Sequence, residues 1–269
     1  MTAVASATRL CVRGVSMRFG GVLALDDVSF EAHAGEVLGV MGPNGAGKTT
    51  LFNVISGVQR PTSGEVLLDT TRIDGRDVDD VAALGVTRTF QTPIMFWGLS
   101  VRESVAIALA ARAAGGSYPP APGRGLLASG LALPARRRDD AQLAERADAL
   151  LERSGLAHMG DRATESLAFG EERLLELCRA LAVEPRVLLL DEPLSGLNGD
   201  EISAVLGEVR RARAGGIAVL LVEHAVGELL AVADRVVVLD HGRTIAHGRA
   251  DEVARDPVVI DAYIGDELE

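Results

Sequence analysis

The sequence predicts an α/β fold: a mostly parallel core sheet with an N-terminal antiparallel β layer and a helical insert. Three observations predict it. Residues 187–190 (Val-Leu-Leu-Leu) and 217–222 (Ile-Ala-Val-Leu-Leu-Val) are wholly apolar runs of strand length, as expected for a parallel sheet covered on both faces. Such runs alternate with amphipathic helical segments through the second half of the chain. Residues 42–50 read Gly-Pro-Asn-Gly-Ala-Gly-Lys-Thr-Thr and satisfy G-x-x-x-x-G-K-[ST] at Gly42, Gly47, Lys48 and Thr49.

Taken in order, residues 9–15 alternate weakly and read as a strand, and 22–31 as another after the Gly20-Gly21 turn. Residues 36–41 are a buried strand that delivers the chain into the 42–50 loop. Residues 50–56 then form a helix ended by Gly57, and 64–69 a third strand of the antiparallel layer. Residues 85–91 are a short strand ending in Gln91. Residues 100–114 are an amphipathic helix with Val101, Val105, Ala108 and Leu109 on one face, and 115–134 are a Gly/Pro/Ala-rich loop. Arg136-Arg137-Arg138 and Asp139-Asp140 read as a solvated helix start rather than a site, and 142–154 as a second amphipathic helix closed by Gly155. Residues 92–165 thus form the helical insert in an α/β body made of 1–91 and 166–269. The body resumes with a helix at 171–183, carrying Leu174, Leu177, Cys178 and Leu181 and broken by Pro185. After the strand at 187–190 come a helix at 201–214, the strand at 217–222, a helix at 225–233 and a strand at 235–239. The turn Asp240-His241-Gly242 lets 243–247 pair back as a hairpin.

Composition excludes some functions. With 269 residues, 48% of them hydrophobic but only 3% aromatic, the chain can build an aliphatic core. A net charge of −11 argues against a nucleic-acid partner and against adsorption to an anionic membrane, since no broad basic field exists. No uncharged apolar run approaches the roughly 18 residues of a membrane helix. The first residues lack the pattern of a signal peptide. Cys11 and Cys178 are isolated, outside metal-ligand spacing, and read as thiols in a reducing compartment.

The 42–50 loop carries the chemistry. A triphosphate is polyanionic and needs many donors at once. Glycines let the backbone N–H groups of Gly42, Pro43, Asn44, Gly45, Ala46 and Gly47 (proline excepted) turn inward as an anion nest. Lys48 adds a point charge, and it is the only lysine in the chain. The hydroxyl of Thr49 is suited to Mg²⁺, and a helix starting near Lys48 and running through Thr50 adds the positive end of its dipole. Asp191 and Glu192 follow directly on an apolar strand, as a metal-holding acid and a base for water beside such a loop. Leu167-Ala168-Phe169-Gly170-Glu171 opens a helix and makes a second anion-binding end. One nucleotide cannot use both ends if they lie far apart, which points to a second copy of the fold facing the first.

In order and spacing these motifs resemble the ATP-binding cassette family, the ATPase subunits of ABC transporters. The resemblance covers nearly the whole chain: an aromatic at Phe19, Walker A at 42–49, a Q-loop at Gln91, a signature at 167–171, Walker B at 187–192, a D-loop at Ser195-Gly196-Leu197-Asn198 and a switch histidine at His224. It implies that Phe19, otherwise a core residue, stacks on adenine. Gln91 senses Mg²⁺ and water, Asp191 and Thr49 hold Mg²⁺, Glu192 is the base, and His224 holds γ-phosphate and Glu192. Ala168, Phe169, Gly170 and Glu171 of one subunit close over the ATP of another. The implied partners are a second cassette and a transmembrane permease contacted near residues 91–102, with the chain held at the cytoplasmic face of the inner membrane. Two positions depart from the family pattern: Ala168 replaces the signature serine and Asn198 replaces an aspartate. With Met17-Arg-Phe-Gly-Gly and the ending Asp256-Pro-Val-Val-Ile-Asp-Ala-Tyr-Ile-Gly265, they are similar to the branched-chain amino acid uptake cassettes. Urea, amide and lipopolysaccharide-export cassettes look alike. A soluble ABC protein of DNA repair or translation is disfavoured by the single cassette, the short insert and the acidic charge. A cassette that binds ATP without turnover is disfavoured by the intact Lys48, Asp191, Glu192 and His224.

Overall fold

Strand β1 (Thr8–Phe19) turns at Gly20-Gly21 into β2 (Val22–His33), with Phe19 paired to Val22, so both strands run longer than their apolar alternation suggested. The computed structural model describes residues 7–89, 96–113 and 134–266. After β2 the chain crosses to a second layer through β3 (Val37–Met41) and the loop into helix α1 (Lys48–Ile55). It returns to the first layer as β4 (Ser63–Leu68) and a short β5 (Thr71–Arg72). The first sheet is antiparallel, in the order β2-β1-β4-β5.

Helix α2 (Val78–Ala83) leads to β6 (Val86–Arg88), an edge strand of the second layer. Helices α3 (Val101–Ala113), α4 (Pro134–Arg153) and α5 (Phe169–Ala182) follow. Then β7 (Val187–Asp191), α6 (Gly199–Ala214), β8 (Ala218–Val222), α7 (Val226–Leu230) and β9 (Arg235–Asp240) complete the alternating part. The chain ends in β10 (Arg243–Arg249), α8 (Ala250–Val253) and α9 (Pro257–Asp266). The second sheet has the order β10-β9-β3-β8-β7-β6. All its pairs are parallel except β10 on β9, the back-paired hairpin.

The wholly apolar strands are explained by what lies on either side. Leu188 and Leu190 of β7, Val219 and Leu221 of β8, and Val236 and Val238 of β9 join the core under α3, α5 and α6. Their neighbours Val187, Leu189, Leu220, Val222, Val237 and Leu239 join a second core shared with α1 and the antiparallel sheet. Successive side chains of a strand point to opposite faces, so a strand between two cores has no polar position to spare.

Some expectations shift. Helix α4 begins at Pro134 rather than at 142, and Arg136-Arg137-Arg138 falls in its first turns, as a helix start was expected to. The elements α2, β5, α8 and α9 were not expected. Gln91 and nearly all of the expected 115–134 loop lie outside the described residues. Cys11 and Cys178 are free and buried, and burial pushes the Cys178 thiol up to about 11. Among the described residues no helix is long and apolar enough to cross a membrane.

Candidate functional site

The 42–50 loop joins the end of β3 to the start of α1. Gly47 caps that helix at φ 104°, in the left-handed region. A Cβ there would stand 2.7 Å from the Ala24 carbonyl oxygen, so glycine is required on both counts. The Lys48 ammonium donates back to the Gly42 and Pro43 carbonyls at 2.6 and 2.8 Å, and the side chain is buried. The loop opens on a cavity of about 190 Å³ lined by Ala24, residues 44–50, Glu192 and His224. Residues 44–50 of the expected loop, Glu192 and His224 therefore meet at one concave surface, whereas Gly42, Pro43 and Asp191 do not line it. Phe19 ends β1 at 43% exposure and does not line this cavity, nor do Ala168, Phe169, Gly170 or Glu171.

Glu192 follows β7 with φ 49°, the left-handed region that a side chain of this size rarely adopts. Its N–H donates to the Val222 carbonyl at 3.0 Å, which continues the β7–β8 pairing and fixes the turn. Its carboxylate lies 2.8 Å from His224 Nε2. Local strain of this kind, of order 1–3 kcal/mol, persists only where neighbours hold it in place.

Asp191 is buried at the end of β7. Its Oδ2 accepts from the Arg88 guanidinium at 2.7 Å, and both side chains are about nine-tenths buried. Arg88 also donates to Asn53 Oδ1 at 2.6 Å and lies over the Phe52 ring, 5.7 Å from its centroid. Arg88 thus ties the β7 carboxylate to α1, the helix that follows the 42–50 loop.

Helix α5 starts at Phe169 with Ala168 as its N-cap. Alanine offers no side-chain acceptor, so only half of a capping box exists: Glu171 Oε2 accepts from the Ala168 N–H at 2.8 Å. The Phe169 ring is half exposed under the Arg173 guanidinium, 5.2 Å away. The second departure has a local account. Asn198 caps α6, its Oδ1 accepting from Asp200 and Glu201 N–H at 3.0 and 3.1 Å, while Glu201 accepts from Asn198 N–H at 2.9 Å. Asn serves there as well as Asp.

Glu223, between β8 and His224, is buried, and its Oε1 accepts from the Leu194 N–H at 2.7 Å in the loop after Glu192. Burial pushes its carboxyl up to about 7; Glu192 adds to the rise, while the Leu194 N–H and Arg173 oppose it. The folded state therefore holds a proton that the unfolded chain releases above its ordinary value of 4.5. Stability from this group is present below that value and is lost as pH rises through about 7. One pKa unit is about 1.4 kcal/mol, so the loss over this rise is at most roughly 3–4 kcal/mol. In Glu223→Gln, which keeps an acceptor for Leu194, the decline in denaturant-measured stability between pH 5 and 8 should flatten. An unchanged pH slope would remove Glu223 from this role.

Arg88, Glu223, Asn53 and Tyr263 were missed from the sequence. Only Glu223 had a nearby signal, as the neighbour of His224. Arg88 and Tyr263 reach partners 103 and 221 residues away, which no local pattern reveals.

Comparisons with known proteins agree with this geometry. A profile of the family described as ABC transporter matches residues 25–195, and one described as branched-chain amino acid ATP-binding cassette transporter matches 243–269. The chain is 36% identical over 260 residues to a high-affinity branched-chain amino acid transport ATP-binding protein, LivG, of Salmonella typhimurium, covering 96% of this chain and 98% of that one. It is 34% identical over 258 residues to BraF of Pseudomonas aeruginosa, described in the same words, covering 95% and 97%. A lipopolysaccharide export ATP-binding protein, LptB, of Acidithiobacillus ferridurans is 32% identical, covering 90% and 91%. The solved structure of an ATP-binding cassette of an ABC transporter superposes with a TM-score of 0.82 at 30% identity, covering 96% and 99%. With these matches added to the 42–50 loop and the Glu192–His224 pair, the chain belongs to the ATP-binding cassette family, the ATPases coupled to ABC transport.

Proposed function

We propose that this chain powers the import of branched-chain amino acids, hydrolysing ATP at the cavity bounded by the 42–50 loop, Glu192 and His224. The observation that carries the ATPase site is that cavity. The match of residues 243–269 to the branched-chain cassettes carries the solute. Backbone N–H groups of residues 44–50 cradle the phosphates, and Lys48 turns from the Gly42 and Pro43 carbonyls to the β- and γ-phosphates. Phe19 stacks on adenine. Glu192 takes the proton of the attacking water, with His224 orienting its carboxylate. Gln91 senses the metal and the water.

The donor set fits Mg²⁺. Thr49 lines the cavity and Asp191 ends β7, one strand removed from β3; both side chains bring hard oxygen donors. Among the described residues no group of three or more His, Cys, Asp or Glu side chains is arranged to hold a metal. When bound, Mg²⁺ neutralises charge developing on the transferred phosphoryl group.

Ala168, Phe169, Gly170 and Glu171 lie off the cavity and serve the ATP of a second cassette, so that two nucleotides close a dimer. The insert, 92–165, meets a permease near residues 91–102 and keeps the chain at the inner face of the membrane. Lipopolysaccharide export is the second reading, favoured by the 32% identical export cassette.

Purification from its native membrane in detergent tests the assignment. Two permeases and a second, different cassette should co-purify, with stimulation of ATPase by a branched-chain amino acid and its binding protein. Co-purification with ribosomes or repair proteins alone overturns transport. Lys48→Ala should weaken ATP binding about 10–100-fold, the loss of a charged hydrogen-bond donor. Unchanged affinity would sink the phosphate-loop assignment.

A further inference from the structure

The phosphate loop is gripped from behind by the C-terminal part of the chain. At the start of the loop, the Gly42 N–H donates to the Tyr263 hydroxyl of α9 at 2.8 Å. Further along, the Ala46 carbonyl accepts from the Gly242 N–H at 3.1 Å, and the Gly242 carbonyl accepts from Asp26 N–H at 2.8 Å. Gly242 sits in the β9–β10 turn with φ 79°. Gly42 itself is at φ 145°, and a Cβ there would stand 2.1 Å from the Leu239 carbonyl oxygen. The loop therefore has two faces. Residues 44–50 line the cavity, whereas Gly42 does not, and its N–H is committed to a side chain from the far end of the sequence.

We propose that Tyr263 is a positioning residue for the nucleotide site: its hydroxyl pins the Gly42 backbone, and α9 thereby sets the shape of the phosphate-binding loop. A buried N–H has to be paired, and Gly42 lies at the hinge between a rigid strand and a glycine-rich loop. With the phenol oxygen in place, the loop N–H groups are held ready to receive phosphates. Without it, the ordering must come from binding itself, which lowers affinity. The phenol is partly buried, and burial raises its pKa while the Gly42 N–H opposes the rise; it stays neutral and able to accept at neutral pH. The ring also packs against the core under the sheet, which supports the hydroxyl in its contact with the Gly42 N–H.

The inference rests on 42–50 being the phosphate loop, and the experiment separates the two. ATP affinity is measured by displacement of a fluorescent ATP analogue from the full chain, with steady-state hydrolysis alongside. Tyr263→Phe keeps the ring and deletes the oxygen. It should raise the Kd and KM for ATP about 3–10-fold, the worth of one hydrogen bond. kcat at saturating ATP should stay within about twofold, because pre-organisation lost from binding is not lost from chemistry. A lowered melting temperature with unchanged Kd and KM overturns the inference, since that is what a merely structural contact would do. If Lys48→Ala also binds ATP like the parent, the loop assignment itself fails; if Lys48→Ala loses binding and Tyr263→Phe does not, only the present inference fails.

Discussion

Glu192→Gln is expected to lower hydrolysis by about 10²–10⁴-fold, the usual worth of a positioned general base, while ATP binding persists. The glutamine retains an oxygen near His224 Nε2, now 2.8 Å from the Glu192 carboxylate, and the turn held by the Val222 carbonyl is unaffected by the change. What disappears is the capacity to accept a proton. A cassette that binds ATP without consuming it should accumulate as a nucleotide-bound dimer. Steady-state phosphate release and size-exclusion chromatography with Mg-ATP measure both effects. Hydrolysis at the parent rate would place the base elsewhere.

The second large effect is structural. Arg88→Met removes the cation facing Asp191 and leaves a carboxylate about nine-tenths buried with no counter-charge from that side. Breaking one partner of a buried pair costs about 3–5 kcal/mol, whereas replacing both by apolar groups is often neutral. Chemical denaturation should therefore find Arg88→Met destabilised by roughly that amount. The double change Arg88→Met with Asp191→Leu should recover much of the stability without recovering activity. If the single variant is as stable as the parent, the ion pair does not tie β7 to α1. The measured coupling also separates structural from catalytic roles of Asp191, because only the latter survives restoration of stability.

The outcome explains which parts of the chain could be read in advance. Residues 42–50 are legible as a candidate phosphate loop because such a loop is built from neighbours: the glycines, Lys48 and Thr49 stand within a few positions of one another. The strands at 187–190 and 217–222 are legible because a sheet between two cores excludes polar residues, and burial leaves that imprint directly on composition. Asp191 and Glu192 follow from the strand's end. Arg88 was illegible because its meaning lies in Asp191, Asn53 and Phe52, which the fold alone brings to it. Tyr263 was illegible for the same reason, and α9 hid its helix: Val258 and Ile260 are exposed while Val259 is buried, so no clean apolar stripe announces it. Asn198 looked like a loss from the family pattern. Its two accepted hydrogen bonds show a helix cap that asparagine fulfils as well as aspartate.

The roof over Lys48 has a practical consequence for chemical labelling. The chain has one lysine among its 27 basic residues, and its ammonium is enclosed by two carbonyls. Amine-reactive dyes and biotin esters reach the Lys48 ammonium only when those two hydrogen bonds open. Slow acylation at Lys48, the one lysine of the chain, becomes a direct clock for the opening of the 42–50 loop.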